Sequence, residues 1–140
     1  MIYCDTSLLV AALTPEASSL RADAWLRQRP AGEICISPWV ITEFSSAIAL
    51  KVRFGSLPAE FKGEVLTRWR AMQADQLLTI AVPQEAFNLA ARFCDLAAAG
   101  LRASDALHLA IASSGGHSLA TLDQRMGEAA LVVGVRVEEI

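Results

Sequence analysis

The chain has 140 residues, 54% of them hydrophobic and only 19% charged, with a formal net charge of −3. A chain of this length buries roughly two-thirds of its unfolded surface as a single domain spanning 1–140, and so apolar a composition excludes disorder and calls for elements covered on both faces. The small negative charge excludes a globally basic surface, so a nucleic-acid ligand would have to be held by local arginines or through a cation.

The three cysteines, Cys4, Cys35 and Cys94, are odd in number and lie in apolar segments without metal-ligand spacing. They read as core hydrophobes of a reducing compartment. No basic region precedes the first apolar residues, so a signal peptide is not expected. No run of ~20 apolar residues is free of charges and breaks, so no membrane span or membrane partner is expected either, and the expected location is cytoplasmic.

In chain order, Ile2-Tyr3-Cys4 reads as a short buried strand, followed by Asp5-Thr6-Ser7 at a turn into a helix over 8–13. Thr14-Pro15-Glu16 predicts a second helix start, with proline in the first turn, running to about residue 28. Ile34-Cys35-Ile36 is a second strand, and Ser37-Pro38 supplies an N-cap and a first-turn proline for a helix over 39–54 that Gly55 stops. A helix opening at Leu57-Pro58 carries Phe61, Val65, Leu66, Trp69 and Met72 at helical spacing. Residues 77–82 form a β-type run, ended by Pro83, which starts the helix bearing Phe87, Leu89, Ala90, Phe93 and Leu96. Gly100 breaks that helix, residues 101–114 form the next, and Gly115-Gly116 closes it. Residues 118–122 and 132–137 complete the strands, with a short helix after Asp123. Strands alternating with helices predict a three-layer α/β domain around a parallel sheet.

Four carboxylates stand where so apolar a chain should not place them: Asp5, Glu43, Asp105 and Asp123. Taking a carboxylate out of water costs several kcal/mol unless it is paired, hydrogen-bonded or bound to metal. In an open parallel sheet, sites form beyond the carboxyl ends of the strands, near the point where strand order reverses. Asp5 and Asp123 each follow a strand directly, and Glu43 and Asp105 lie early in helices that start at that end. Each also has a plainer reading. Asp5 and Asp123 can be helix N-caps, Asp105 can offset the helix dipole or pair with Arg102, and Glu43 can face solvent. These local roles do not explain why all four fall at one end of the sheet.

Hydroxyls flank the acids at Thr6, Ser7, Ser104 and Thr121, where they can orient carboxylates or simply cap turns. His108 lacks a Cys or His partner and reads as a packing or surface residue. Arg68-Trp69-Arg70 reads as two solvated arginines around a core-facing tryptophan. Gathered carboxylates repel one another, which raises some of their pKa values unless a hard divalent cation, Mg²⁺ or Mn²⁺, neutralises them.

Four segments in order carry a family resemblance: Met1-Ile2-Tyr3-Cys4-Asp5-Thr6-Ser7-Leu8-Leu9, Ile36-Ser37-Pro38-Trp39-Val40-Ile41-Thr42-Glu43-Phe44, Leu101-Arg102-Ala103-Ser104-Asp105-Ala106-Leu107-His108-Leu109-Ala110 and Leu119-Ala120-Thr121-Leu122-Asp123. Together they resemble the PIN domain, and within it the VapC-type toxins of toxin–antitoxin pairs. The resemblance implies a PIN-like three-layer domain with a parallel sheet of about five strands. It also implies a Mg²⁺- or Mn²⁺-dependent endoribonuclease that cuts RNA with activated water and leaves 5′-phosphate and 3′-hydroxyl ends. Asp5, Glu43, Asp105 and Asp123 are then the catalytic and metal-site residues, with Thr6, Ser7 and Thr121 as supporting hydroxyls. A small VapB-type antitoxin and a homodimer are the implied protein partners. The chain departs from the family pattern at Gln124-Arg125-Met126, which lacks a further acid and the aromatic often found there. A DNA or flap-type nuclease on the same fold and a non-catalytic PIN scaffold are the alternatives. A receiver domain would need an aspartate after the third strand and a lysine after the fifth, where this chain has Val82-Pro83 and Val137-Glu138. A haloacid-dehalogenase-like phosphatase would need Asp-x-Asp where the chain reads Asp5-Thr6-Ser7.

Overall fold

The computed structural model describes residues 1–140, the side chain of Ala97 excepted. Among the described residues the strands are β1 (Ile2–Cys4), β2 (Ile34–Ile36), β3 (Leu77–Thr79) and β4 (Ser118–Ala120). The helices are α1 (Thr6–Leu13), α2 (Ser19–Arg27), α3 (Pro38–Arg53), α4 (Lys62–Asp75), α5 (Gln84–Asp95), α6 (Ala103–Ser114) and α7 (Gln124–Val132). The fold is a three-layer α/β arrangement around one four-stranded parallel sheet, ordered β3-β2-β1-β4.

The strands of β1, β2 and β4 are buried at every residue, as parallel strands covered on both faces must be. Only β3, at the sheet edge, exposes two of its three residues. In α6 the whole stretch 106–112 is buried, so this helix sits inside the molecule and not on its surface. Elsewhere the core is mainly aliphatic, with Tyr3, Trp25 and Phe93 also buried and a stacked Phe44–Trp69 pair, ring centroids 4.3 Å apart, joining α3 to α4. Such a pair adds ~0.5–1.5 kcal/mol beyond its burial.

Several boundaries differ from the sequence reading: α4 starts at Lys62 after a 3₁₀ turn over 59–61, α6 starts at Ala103 and β4 ends at Ala120. There are three further differences. First, α2 begins at Ser19, because Thr14 ends α1 instead of opening the next helix: its N–H and its hydroxyl both donate to the Val10 carbonyl. Pro15 therefore follows a C-cap, a place where proline is equally at home. Second, β3 stops at Thr79, well before Pro83. Third, the segment 132–137 is not a full strand. The last turn of α7 takes Val132, and Gly134, at φ +77°, turns the chain so that only Val137 bridges to Leu119 in parallel. The sheet thus has four strands and a single-residue fringe where about five strands were expected.

Strand order reverses between β1 and β4. β1 runs on to β2 and then β3 on one side, and β4 returns to the other. The two strands pair from Ile2↔Ser118 to Cys4↔Ala120, and the Asp5 N–H extends the ladder by donating to the Ala120 carbonyl at 3.1 Å. Asp5 and the 121–123 segment therefore leave the sheet side by side, at the reversal point.

Candidate active site

Asp5 is 1% exposed and caps α1. Its Oδ1 accepts from the N–H groups of Ser7 (3.1 Å) and Leu8 (3.4 Å) and from the Ser7 hydroxyl (2.8 Å), and its Oδ2 accepts from Thr121 Oγ1 at 2.7 Å. Burial pushes the Asp5 carboxyl above its ordinary range, against the lowering effect of His108 and of these donors. Ser7 and Thr121 do more than cap turns. The Leu122 N–H donates to Ser7 Oγ at 2.9 Å and the Asp123 N–H to Thr121 Oγ1 at 3.0 Å, so both hydroxyls tie Asp5 to the loop leaving β4.

Glu43 lies in the second turn of α3, half-buried, because Ser37 caps that helix at the end of β2 and Pro38 starts it. Thr6 donates to Glu43 Oε2 at 2.7 Å, and His108 Nε2 donates to the same oxygen at 2.5 Å. Burial works to raise the Glu43 carboxyl, but His108 first and Thr6 next outweigh it and hold the group below its ordinary range. The Glu43 side chain does not simply face solvent.

His108 is the residue that sequence reasoning missed. It is 2% exposed, and its ring joins Glu43 to a buried hydroxyl chain, with Tyr3 OH 3.0 Å from Nδ1 and Ser37 Oγ 2.8 Å from Tyr3 OH. A carboxylate only accepts, so Nε2 carries the proton toward Glu43. In the neutral ring Nδ1 then accepts from Tyr3, Tyr3 accepts from Ser37, and Ser37 accepts from the Val40 N–H. Burial drives the Tyr3 phenol far above its ordinary value, so it works as a hydroxyl and not as a phenolate. The available signal was positional: His108 stands three residues after Asp105, on the same face of α6. Its partner, 65 residues away, was not in view.

Asp105 and Asp123 are held more loosely. Asp105, partly exposed in the first turn of α6, accepts from Ser104 Oγ at 3.3 Å. Asp123 is exposed and caps α7, its Oδ1 accepting from the N–H groups of Arg125 (2.9 Å) and Met126 (3.1 Å). Both line one cleft, and Asp123 also lines a second with Thr6 and Ser7. Arg102 does not pair with Asp105. The ion pairs among the described residues are Arg27–Asp23 and Lys51–Glu16, and the His108–Glu43 contact becomes one when the ring is protonated.

Asp5 and Glu43 are thus linked through adjacent Thr6, Asp5 and Asp123 through Thr121, and Asp123 and Asp105 across a cleft. No three His, Cys, Asp or Glu side chains among the described residues converge as a ready cage for an ion. No helix is long and apolar enough to cross a membrane.

A parallel α/β sheet with acidic residues gathered at its reversal point defines a recognisable class. The PIN domain model matches residues 2–131, and the chain belongs to the PIN domain family. Among solved structures it is similar to FitAB bound to a DNA fragment (TM-score 0.74, 21% identity, 99% of this chain and 94% of that one). It is also similar to the Mycobacterium tuberculosis sarcin-ricin-loop-cleaving toxin VapC20 (TM-score 0.71, 16% identity, 92% and 95%). A toxin–antitoxin complex from Klebsiella pneumoniae is a third (TM-score 0.68, 18% identity, 100% of both). At these identities the likeness shows the fold alone. No curated protein matches the chain by sequence.

Proposed function

We propose that this protein is a divalent-metal-dependent endoribonuclease and the toxin of a toxin–antitoxin pair, using Asp5, Glu43, Asp105 and Asp123. The observation that carries the reading is the set of hydroxyls that hold two of these acids at the reversal point of the sheet and tie Asp5 to the Asp123 backbone: Thr6 on Glu43, and Ser7 and Thr121 on Asp5. Capping alone explains Asp5 and Asp123, but it does not explain a half-buried Glu43 held from two sides. Membership of the PIN family and likeness to a toxin that cleaves the sarcin-ricin loop support the same reading.

The donor set fits a hard cation that keeps much of its water. Mg²⁺ is commonly held by one or two carboxylates plus water and substrate phosphate, not by a full protein cage. Asp105 Oδ2 and Asp123 Oδ2 carry no hydrogen bond, and these two carboxylates with Glu43 are the side chains that would hold the ion. Asp5, enclosed by donors on both oxygens, would add negative charge to the site. When bound, the ion neutralises the acids and activates water toward phosphate. The chain itself keeps Glu43 anionic and fixed in direction through His108 and Thr6, and fixes the 121–123 loop through Ser7 and Thr121. Attack by water forms the new P–O bond as the P–O3′ bond breaks, and the leaving oxygen takes a proton, giving 5′-phosphate and 3′-hydroxyl ends.

An antitoxin partner is supported by the likeness to toxin–antitoxin complexes. The exposed aromatics Phe54 and Phe61, at the end of α3 and just before α4, give apolar surface for that partner or for a homodimer. Purified protein incubated with structured RNA tests the core reading: cleavage with Mg²⁺ or Mn²⁺, arrest in chelator and 5′-phosphate products are expected, and undiminished cleavage in excess EDTA refutes metal dependence.

A further inference from the structure

The start of α6 and the first turns of α7 face each other across a cleft of about 290 Å³. Arg102 and Asp105 stand on one wall, and Asp123, Arg125 and Glu128 on the other. Five charged side chains therefore share one small space. Neither arginine forms an ion pair, as holds among the described residues for every Lys and Arg except Arg27 and Lys51. Two guanidinium groups and three carboxylates lining one cleft suit a ligand that brings an anion to the arginines and a cation to the acids. A phosphodiester accompanied by a divalent ion is such a ligand.

The remaining lining narrows the choice further. It is built of small and aliphatic groups such as Ala99, Gly100, Met126 and Val132, and no aromatic side chain lines it. A base has no ring to stack on there, so the cleft reads backbone and not sequence. A double helix cannot enter a space of this size, but one strand can. With a formal charge of −3, the protein has no general attraction for RNA, and local arginines must supply it. α6 also begins without a side-chain cap, its cap position being Arg102 itself, so its first N–H groups add a weak positive field to that wall.

We propose that this cleft is a phosphate subsite for single-stranded RNA. In it, Arg102 and Arg125 grip the phosphate next to the one presented to Asp105 and Asp123. The proposal rests on the ribonuclease reading above and adds the direction in which the strand leaves the acids, between α6 and α7. Arg102 and Arg125 are binding residues in it, not catalytic ones.

The test is a fluorescence-anisotropy titration with labelled oligouridine in EDTA, over a salt series, with melting curves to check folding. The proteins are wild type, Arg102→Ala, Arg125→Ala, Arg102→Lys and, as control, Arg70→Ala on the exposed face of α4. Each cleft alanine should weaken binding about tenfold, the scale of one charge-assisted hydrogen bond. It should also lower the slope of log affinity against log salt by ~0.7, one phosphate contact on a single strand. Arg102→Lys should restore the slope but not the full affinity, because it keeps the charge and loses the fork. In cleavage assays with Mg²⁺, KM should rise with kcat near wild type. Wild-type affinity and slope in both cleft variants overturn the subsite, and so does an equal loss in Arg70→Ala, which marks diffuse attraction. If those results come with an Asp105→Asn variant that no longer cuts RNA, the nuclease reading survives without the subsite. A wild type that neither binds nor cuts RNA ends both.

Discussion

The two halves of the acidic site are built on opposite terms. Around Asp5 and Glu43, donors crowd the carboxylates: Ser7, Thr121 and backbone N–H groups on Asp5, and Thr6 and His108 on Glu43. Around Asp105 and Asp123 the carboxylates stand on the rim of an open cleft with one side-chain donor between them. The first half is part of the folded core and cannot be altered without touching stability. The second half is free to act on a ligand and contributes to the fold mainly by capping α7.

The largest expected effects should separate these roles. Asp105→Asn should lower RNA cleavage by at least ~100-fold, the scale of losing one preorganised electrostatic group. Its urea midpoint should stay at the wild-type value. A large loss of stability in Asp105→Asn would erase the distinction between the halves.

His108→Ala probes the closed half. It opens a cavity and strands Tyr3 and Glu43, so unfolding free energy should fall by roughly 2–4 kcal/mol. The loss should be strongly non-additive with Glu43→Gln in a double-mutant cycle, since both remove the same hydrogen bond. Additive losses would mean that the ring serves only to pack.

Acid titration sharpens the contrast inside the closed half, because its two carboxylates shift in opposite directions. The folded Glu43 carboxyl lies below its ordinary value of 4.5, so its ionised form favours the fold. That contribution is present above 4.5 and is lost as pH falls through the folded value. The folded Asp5 carboxyl lies above 3.8, so its protonated form favours the fold. Its contribution is present below 3.8 and is lost as pH rises through the folded value. Asp5→Asn should therefore gain stability over wild type at neutral pH, while Glu43→Gln should lose it. Urea melts from pH 3 to 7, roughly spanning both ordinary values, check the signs. A loss at neutral pH in Asp5→Asn would show that its capping outweighs its buried charge.

The smallest effect belongs to the open half. Asp123→Ala removes the cap of α7 at a cost of ~1 kcal/mol. Millimolar Mg²⁺ or Mn²⁺ should raise the melting temperature of wild type by mass action, and less so that of Asp123→Ala. An undiminished metal shift would place the ion away from Asp123.

Much of this was legible along the chain. Each of the four strands announces itself by a short apolar run, and Asp5, Ser37 and Asp123 cap the helices they precede because strand-to-helix turns favour such residues. The hydroxyls beside the acids were legible as well, since Thr6, Ser7, Ser104 and Thr121 each donate to a carboxylate. What stayed hidden depends on distance in sequence or on competition between neighbours. The partnership of His108 with Glu43 and Tyr3 crosses three elements, and no local period reveals it. Pro15 suits the start of a helix and the end of one equally well, and the side chain of Thr14 decided between them. The 132–137 segment has strand composition, but α7 claims its first residue and Gly134 turns the rest.

The pairing of β1 with β4 also governs when the site comes into being. The second residue of the chain aligns with Ser118, and Thr121 meets Asp5 across 116 positions. During synthesis the first strand therefore waits beside β2 with one edge bare until residues 118–120 have emerged. Closure over so long a loop is slow to reach and leaves that edge open to wrong partners meanwhile. It also means that a nascent or truncated product ending before residue 118 has Asp5 without Thr121, without the loop of Asp123 and without the α6–α7 cleft. The hydrogen bonds that tie Asp5 to the loop of Asp123 therefore form only once β4 and the residues just after it have joined the sheet.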